Sequence, residues 1–270
     1  MRIVVEAGGT KCKWGLIDSK LQTIETQGFN PNSSDVAALT AMAESVSAKA
    51  ADSVGSVIYF GAGCSNSANK KAVGEALATV FKCDDVQVFT DLEGAAIALF
   101  GKQKGIAAIL GTGASAGYFN GEKIENQSPS LGYLLGDEGS GAYLGKMLVS
   151  KVLRKELPKE ICDSFYDFAK TDSANLIRSI YSSPRTNEYL ASFVPFISAN
   201  IGKENIANMV IKSFQLFDKK HIVPIHQVEM PIGFVGGIAF QFGNILRDFY
   251  TSKGISIRIL KDAFTRLTAL

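Results

Sequence analysis

The chain has 270 residues with 28 basic and 26 acidic side chains, a formal net charge of +2, 46% hydrophobic and 20% charged residues. That balance suits one large or two medium globular domains with a sizeable core, and the small net charge gives no electrostatic case for nucleic acid or an acidic membrane as partner. Cys12, Cys64, Cys83 and Cys162 lie far apart with no CxxC pair, which argues against structural zinc and against a cluster held by the cysteines of one chain.

Residues 2–7, 12–18 and 21–27 are rich in Val, Ile, Leu and Trp and are predicted as three short strands joined by hairpin turns at AGGTK and DSKL. Residues 35–50 carry Ala, Leu, Met and Val at helical spacing behind Ser33-Ser34-Asp35, a cap signal. A strand at 56–63, a helix at 66–81, a strand at 86–91 and a helix from Leu92 to Phe100 follow, giving βββαβαβα with the later strands parallel. The plan restarts at GIAAILGTGASAGYFNGEKIEN (105–126): strand, glycine turn, strand, NG turn. We read this as a structural duplication, with one half spanning 1–100 and the other 101–270. The stretch 137–220 reads as helical, punctuated by Pro158 and Pro184. Residues 228–250 read as strand, glycine turn and helix, and ISIRIL (255–260) as a last strand.

No run of about 18 apolar residues predicts a membrane span. The chain opens directly on a strand rather than a leader, and a reduced cytoplasm is the expected location. His221 and His226 are too few to point to histidine-based metal or triad chemistry, and the runs KQK (102–104) and DKKH (218–221) read as solvated surface.

Three glycine turns stand out. In AGGTK, glycines permit a close approach to backbone, and the Thr10 hydroxyl with successive N–H groups suits phosphate oxygens; a bulged hairpin is the plain alternative. Glu6, ending the first strand, suits a hydrated Mg²⁺ beside such a phosphate, or is an ordinary surface acid. LGTGAS (110–115) repeats the chemistry with Gly111, Thr112, Gly113 and Ser115. FVGGIAFQFG (234–243) runs from strand through two glycines into a helix, which suits approach to a nucleotide. Neither a Walker A motif nor GxGxxG after a strand is present, so P-loop and Rossmann sites are disfavoured.

The acids complete the set. Asp91 ends a predicted parallel strand, where ligands bind in open α/β sheets. It is read either as a helix N-cap or as a general base near a sugar hydroxyl, with Glu93 in the first turn of the next helix. LGYLLGDEGSGAYLGK (131–146) packs five glycines, Asp137, Glu138 and Ser140 together. Two carboxylates among so many glycines exceed what a helix cap needs and suit several sugar hydroxyls.

In this order, EAGGTK, TD-x-EGAA, LGTGAS, GDEGSGAYLG and VGG resemble the N-acetylglucosamine kinase branch of the BadF/BadG/BcrA/BcrD ATPase family, within the sugar kinase/heat-shock/actin superfamily. GDEGSG is the most specific element. The resemblance implies an α/β fold of two actin-like (ribonuclease H-like) domains with an inter-domain cleft, the last residues packing back on the first domain. It implies ATP and Mg²⁺ as cofactors and direct phosphoryl transfer to an amino sugar, N-acetylglucosamine to its 6-phosphate. Carried over by position, Gly8, Gly9, Thr10 and Lys11 resemble the first phosphate loop, Gly111, Thr112 and Gly113 the second, and Gly236 and Gly237 the adenosine turn. Asp91 matches the base. Asn30, Asn32, Gly132, Asp137 and Glu138 resemble sugar contacts, and Glu6 the metal acid, where the family usually has Asp. The implied partner is a small-molecule sugar, with no nucleic acid and no membrane; dimers are common among such kinases, so a homodimer is one option. Two alternatives stay open: an ATPase activator of the same family, which holds an iron–sulfur cluster between subunits, and a non-catalytic sugar or nucleotide sensor.

Overall fold

The computed structural model describes residues 1–50, 53–226 and 230–269. They fall into two compact units: Met1–Gln103 with Phe119–Ile124 and Asp262–Leu270, and Lys104–Tyr118 with Glu125–Lys261. Val228 and Glu229, placed at the start of the 228–250 segment, lie outside the described residues.

The first unit is built on a five-stranded sheet. Strands β1 (Arg2–Ala7), β2 (Lys11–Ile17) and β3 (Leu21–Gln27) form an antiparallel meander. Helix α1 (Val36–Ser47), strand β4 (Ser56–Gly61), helix α2 (Ser67–Phe81), strand β5 (Val86–Thr90) and helix α3 (Asp91–Phe100) follow. β4 lies parallel to β1 and β5 parallel to β4, giving the order β3-β2-β1-β4-β5. Asp35 caps α1 by accepting from the Ala37 N–H at 2.9 Å, and Leu39, Ala43 and Val46 form its buried face. Trp14 is wholly buried in this core, and its Nε1 donates to Thr26 Oγ1 at 2.9 Å. A buried indole of this kind contributes about 4–6 kcal/mol of transfer free energy.

The second unit repeats the plan. Strands β6 (Gly105–Leu110), β7 (Ala114–Phe119) and β8 (Ile124–Gln127) come first. Then come helices α4 (Gly132–Leu135), α5 (Gly141–Leu153), α6 (Lys159–Ala169), α7 (Ser173–Ser182), α8 (Thr186–Ala191), α9 (Val194–Ala199) and α10 (Glu204–Phe217), the last running into a π-helical turn at Asp218–Ile222. Strand β9 (Ile232–Val235), helices α11 (Gly237–Gln241) and α12 (Gly243–Thr251), and strand β10 (Ile257–Leu260) close the unit, and helix α13 (Phe264–Leu267) belongs to the first. The sheet order is β10-β9-β6-β7-β8. Each sheet thus carries its third, second, first, fourth and fifth strands side by side, which is the duplication expected from the glycine turns. Phe165 packs edge-to-face on Phe193 and Phe196 at 5.2 and 5.4 Å, tying α6 to α9. Gly145 lets α5 meet α8 at contact: a Cβ there would lie 1.9 Å from the Leu190 carbonyl oxygen.

Two boundaries differ from expectation. Thr90, not Asp91, ends β5, and Asp91 is the first residue of α3. The predicted helix after the third glycine turn is two helices, broken at Phe242, which ends α11 and opens α12. Among the described residues no helix is long and apolar enough to cross a membrane.

Candidate functional site

In the second unit the end of β6, the start of α5 and the β9–α11 turn converge. Gly111 N–H donates to the Gly113 carbonyl at 3.0 Å, closing the turn. The first N–H groups of α5 then bond back to that turn, Gly141 to Gly111 O at 2.8 Å and Ala142 to Thr112 O at 3.1 Å. Gly236 has φ +125°, and a Cβ there would lie 2.3 Å from the Leu110 carbonyl oxygen. Only glycine allows both that backbone conformation and that approach, so the third turn sits directly on the second. A pocket of about 680 Å³ opens here, lined by Gly111, Thr112, Gly141, Gly237, Ile238 and Gln241, with α8 and α9 as its other wall. Its size is that of a small-molecule site.

The GDEGSG loop folds onto the same turn. Ser140, not an acid, caps α5, accepting from the Tyr143 N–H at 3.0 Å. Asp137 is therefore spared capping. It stands in the left-handed region, φ +58°, and is 8% exposed. Its Oδ2 lies 3.1 Å from where a Cβ on Gly113 would be. Burial pushes its carboxyl above the usual range, against a hydrogen bond from the Ala114 backbone N–H. Glu138 turns the other way. It is 3% exposed, its Oε1 pairs with Lys220, and its Oε2 meets His221 Nε2 at 3.3 Å. Burial acts to raise its carboxyl, but the Lys220 and His221 hydrogen bonds outweigh this and hold it below the usual range. Gly132, φ +69°, opens α4, and its carbonyl accepts from Gly136 N–H at 2.8 Å.

The first unit holds the remaining residues. The Gly8–Thr10 turn is knit to the end of β3: Gly28 N–H donates to Thr10 O at 3.1 Å and Phe29 N–H to Gly8 O at 3.1 Å. Gly9, Thr10 and Lys11 are exposed, and Lys11 Nζ stands 3.6 Å from Glu25 in a surface pair. Asn30 Oδ1 accepts from Asn32 N–H at 3.0 Å, and Asn32 Oδ1 from Asn69 Nδ2 at 2.8 Å, so the two asparagines belong to one loop network.

Asp91 is not the cap of α3. Thr90 is: its Oγ1 accepts from the Glu93 N–H at 3.0 Å while Glu93 Oε2 accepts from the Thr90 N–H at 2.7 Å, a complete capping box. Asp91 Oδ1 accepts only locally, from the Leu92 N–H at 2.9 Å. Burial raises its carboxyl above the usual range, Leu92 N–H opposes this, and the Glu93 charge adds to it. A half-buried carboxylate with a raised pKa, released from capping, has the properties of a general base.

Glu6 is tied to the chain's other end. Its Oε1 accepts from the Ala263 N–H at 3.1 Å, just before α13. Burial first, then the Asp262 charge, raises its carboxyl, while Ala263, Lys13 and Phe264 act the other way. Asp262 is itself held by Lys13 at 2.7 Å. A carboxylate offers about four lone-pair sites, and a cation beside Glu6 would relieve the charge that burial disfavours. The donor chemistry therefore fits a hydrated Mg²⁺. Among the described residues no three acids, histidines or cysteines cluster as a cage, so such an ion would keep waters and phosphate oxygens as its other ligands.

Reading the sequence alone missed Ser128, Lys220, His221 and the α8–α9 wall of the pocket. The DKKH run is solvated surface only at Lys219 and Lys220: Asp218 is 6% and His221 5% exposed, and Lys220 pairs with the buried Glu138. The apolar Phe217 and Ile222 that flank the run were the available signal.

A protein of Porphyromonas gingivalis described as a putative N-acetylglucosamine kinase is 32% identical to this chain, covering 100% of it and 98% of its own chain, with a TM-score of 0.95. The chain belongs to this N-acetylglucosamine kinase-like family. The N-acetylmuramic acid/N-acetylglucosamine kinase of Clostridium acetobutylicum is 29% identical over 157 residues, 56% of this chain; the match spans 51% of that enzyme's length. A ROK-family glucokinase of Streptomyces griseus, crystallised with glucose and AMPPNP, shares the fold at a TM-score of 0.59 and 14% identity, over 98% of this chain and 97% of its own. No protein-family model matches the chain. The kinase-like chain therefore has the actin-like α/β fold that its glycine turns and GDEGSG loop suggested.

Proposed function

We propose that this chain is an ATP-dependent kinase of an amino sugar, with the 6-hydroxyl of N-acetylglucosamine as acceptor. The observation that carries the reading is the convergence of the second and third glycine turns on one pocket, with the Asp137 carboxylate beside them, in a chain alike throughout to a protein described as such a kinase.

The adenosine part of ATP occupies the pocket against Gly237 and Ile238, and its phosphates meet the backbone of Gly111–Gly113. In the second unit Gly132 and Asp137 are the proposed sugar contacts; in the first unit Gly8–Lys11 is the proposed phosphate turn, and Asn30 and Asn32 the proposed sugar contacts. Asp91 accepts the proton of the attacking hydroxyl as its oxygen bonds to the γ-phosphorus; the bond to the bridging oxygen breaks and ADP departs with that electron pair. Mg²⁺, when bound beside Glu6, supplies charge neutralisation on the phosphate oxygens. The raised pKa of Asp91 favours proton acceptance.

Two features weigh against the activator reading. Cys12 and Cys64 are wholly buried, and burial pushes their thiols up to about 12 and about 11. A cluster shared between subunits needs accessible thiolates. The test is an ADP-release screen across amino sugars with Mg²⁺–ATP. Release that depends on an amino sugar supports the proposal. A chain that binds ATP and sugar yet forms no ADP with any of them is a sensor.

A further inference from the structure

We propose that His221 is a positioning residue: through Glu138 it fixes the Asp137 carboxylate and so sets the affinity for the acceptor sugar. The inference rests on the kinase reading above.

Asp137 is a non-glycine residue at φ +58°, a conformation that costs on the order of 1 kcal/mol and persists only where the surroundings over-determine it. Three bonds do so. The Asp137 carbonyl accepts from Ser140 N–H at 3.0 Å, Gly139 N–H donates to the buried Ser213 Oγ at 3.1 Å, and the Glu138 side chain is clamped at both oxygens. The clamp comes from the π-helical turn after α10, where the adjacent residues Lys220 and His221 both meet this one carboxylate.

His221 is in turn fixed from behind. Its Nδ1 lies 2.8 Å from Ser128 Oγ, and its ring stacks on Phe217 at 4.9 Å and 22°. Ser128 is anchored on β7, its N–H donating to Ala116 O at 3.0 Å. An ionised Glu138 only accepts, so Nε2 carries a hydrogen toward it; the Ser128 hydroxyl stands between two groups, His221 Nδ1 at 2.8 Å and the Ala116 carbonyl at 3.2 Å. The relay runs from the sheet through Ser128, His221 and Glu138 to the strained backbone of Asp137. The same three residue types build hydrolase triads, but Ser128 is 3% exposed and meets no substrate. Lys220 and His221 each take one acceptor site of Glu138, and in this proposal that clamp acts on the sugar through Asp137.

Two substitutions separate positioning from bulk stability. His221→Gln can place an amide N–H near the position of Nε2 and keep the bond to Glu138. His221→Asn reaches only toward Ser128 and loses it. We expect the KM for the amino sugar to rise on the order of 10- to 100-fold in His221→Asn, with the Kd for AMPPNP within twofold of wild type, and to return most of the way in His221→Gln. Amide hydrogen exchange over residues 136–141 should quicken in His221→Asn and not in His221→Gln. Ser128→Ala, which removes the support behind the ring, should shift both readouts in the direction of Asn and serves if that variant does not fold. A native KM in His221→Asn overturns the proposal, as do losses of sugar and nucleotide affinity that simply follow melting temperature. Should wild type bind an amino sugar without phosphorylating it, the kinase reading fails and calorimetric sugar Kd values decide the same comparison. A wild type that binds no amino sugar overturns both.

Discussion

Replacing Gly236 and Gly237 one at a time tests whether the pocket is the nucleotide's. Gly236 has φ +125°, and an added Cβ would stand 2.3 Å from Leu110 O, 2.8 Å from Leu110 C and 3.3 Å from Gly111 N. Carbon–carbon contact begins near 3.5 Å, so in Gly236→Ala the two turns must part by about 1 Å. The strained φ costs about 1–3 kcal/mol and the overpacking about 1–3 kcal/mol more. Taking about 4 kcal/mol, and about 2–4 °C per kcal/mol for a chain of this size, the melting temperature should fall by roughly 8–16 °C. Gly237 differs, since a Cβ there meets nothing within 4 Å while the residue lines the pocket. Gly237→Ala should melt like wild type and bind AMPPNP at least tenfold more weakly by calorimetry, about 1.4 kcal/mol, because the methyl takes space that the nucleotide uses. A Gly237→Ala protein with native nucleotide affinity would refute the assignment of this pocket. A Gly236→Ala protein with a native melting point would refute the packing argument.

The other outcomes are briefer. Asp91→Asn should lower turnover by about 10²–10⁴-fold with AMPPNP binding kept; a native rate would remove Asp91 as the base. Because burial raises the Asp91 carboxyl, the folded chain holds that proton to higher pH than the unfolded chain. Its contribution to stability is full below the unfolded pKa and is lost as pH rises through the folded one. Asp91→Asn should therefore melt at or above wild type at pH 7–8, with any advantage fading in acid, as followed by circular dichroism across pH. Thr90→Val breaks the capping box and should cost about 1 kcal/mol in urea unfolding.

The two sheets were legible because their strands keep strand periodicity and their turns carry Gly, Thr, Asn and Asp. Slippage occurred where two chemistries compete for a residue. Asp91 read as either cap or base, and the Asp137–Glu138 pair as more than a cap needs; in each case a nearby hydroxyl, Thr90 or Ser140, caps the helix and leaves the acid free of that role. The two ends of the DKKH run were misread because their partners are distant in the chain: Asp218 pairs with Lys253, 35 residues away, and His221 with Glu138, 83 residues away. The α8–α9 wall was illegible for a related reason: helical periodicity shows that a face is apolar, not which element it covers. What brings α8 to the pocket is Gly145 against the Leu190 carbonyl, a contact with no local signature.

Glu6 illustrates how one methylene can serve two demands. Its Oε1 reaches the Ala263 N–H, 257 residues away, and holds the segment before α13 against β1. Aspartate, usual at this position in the resembling family, is shorter by a methylene and would fall short of that N–H. Two substitutions separate the tether from the proposed metal role. Glu6→Asp keeps the charge and loses the tether, so it should cost about 1 kcal/mol, roughly 2–4 °C in melting temperature, while ADP release keeps its Mg²⁺ dependence. Glu6→Gln keeps an acceptor for Ala263 and loses the charge. Burial raises the Glu6 carboxyl, so the neutral amide should melt no lower than wild type at pH 7. The Mg²⁺ concentration for half-maximal ADP release should nonetheless rise severalfold, measured by titrating Mg²⁺ at fixed ATP. An unchanged Mg²⁺ response in Glu6→Gln, together with a lower melting temperature in Glu6→Asp, would make Glu6 a tether alone and move the metal acid elsewhere.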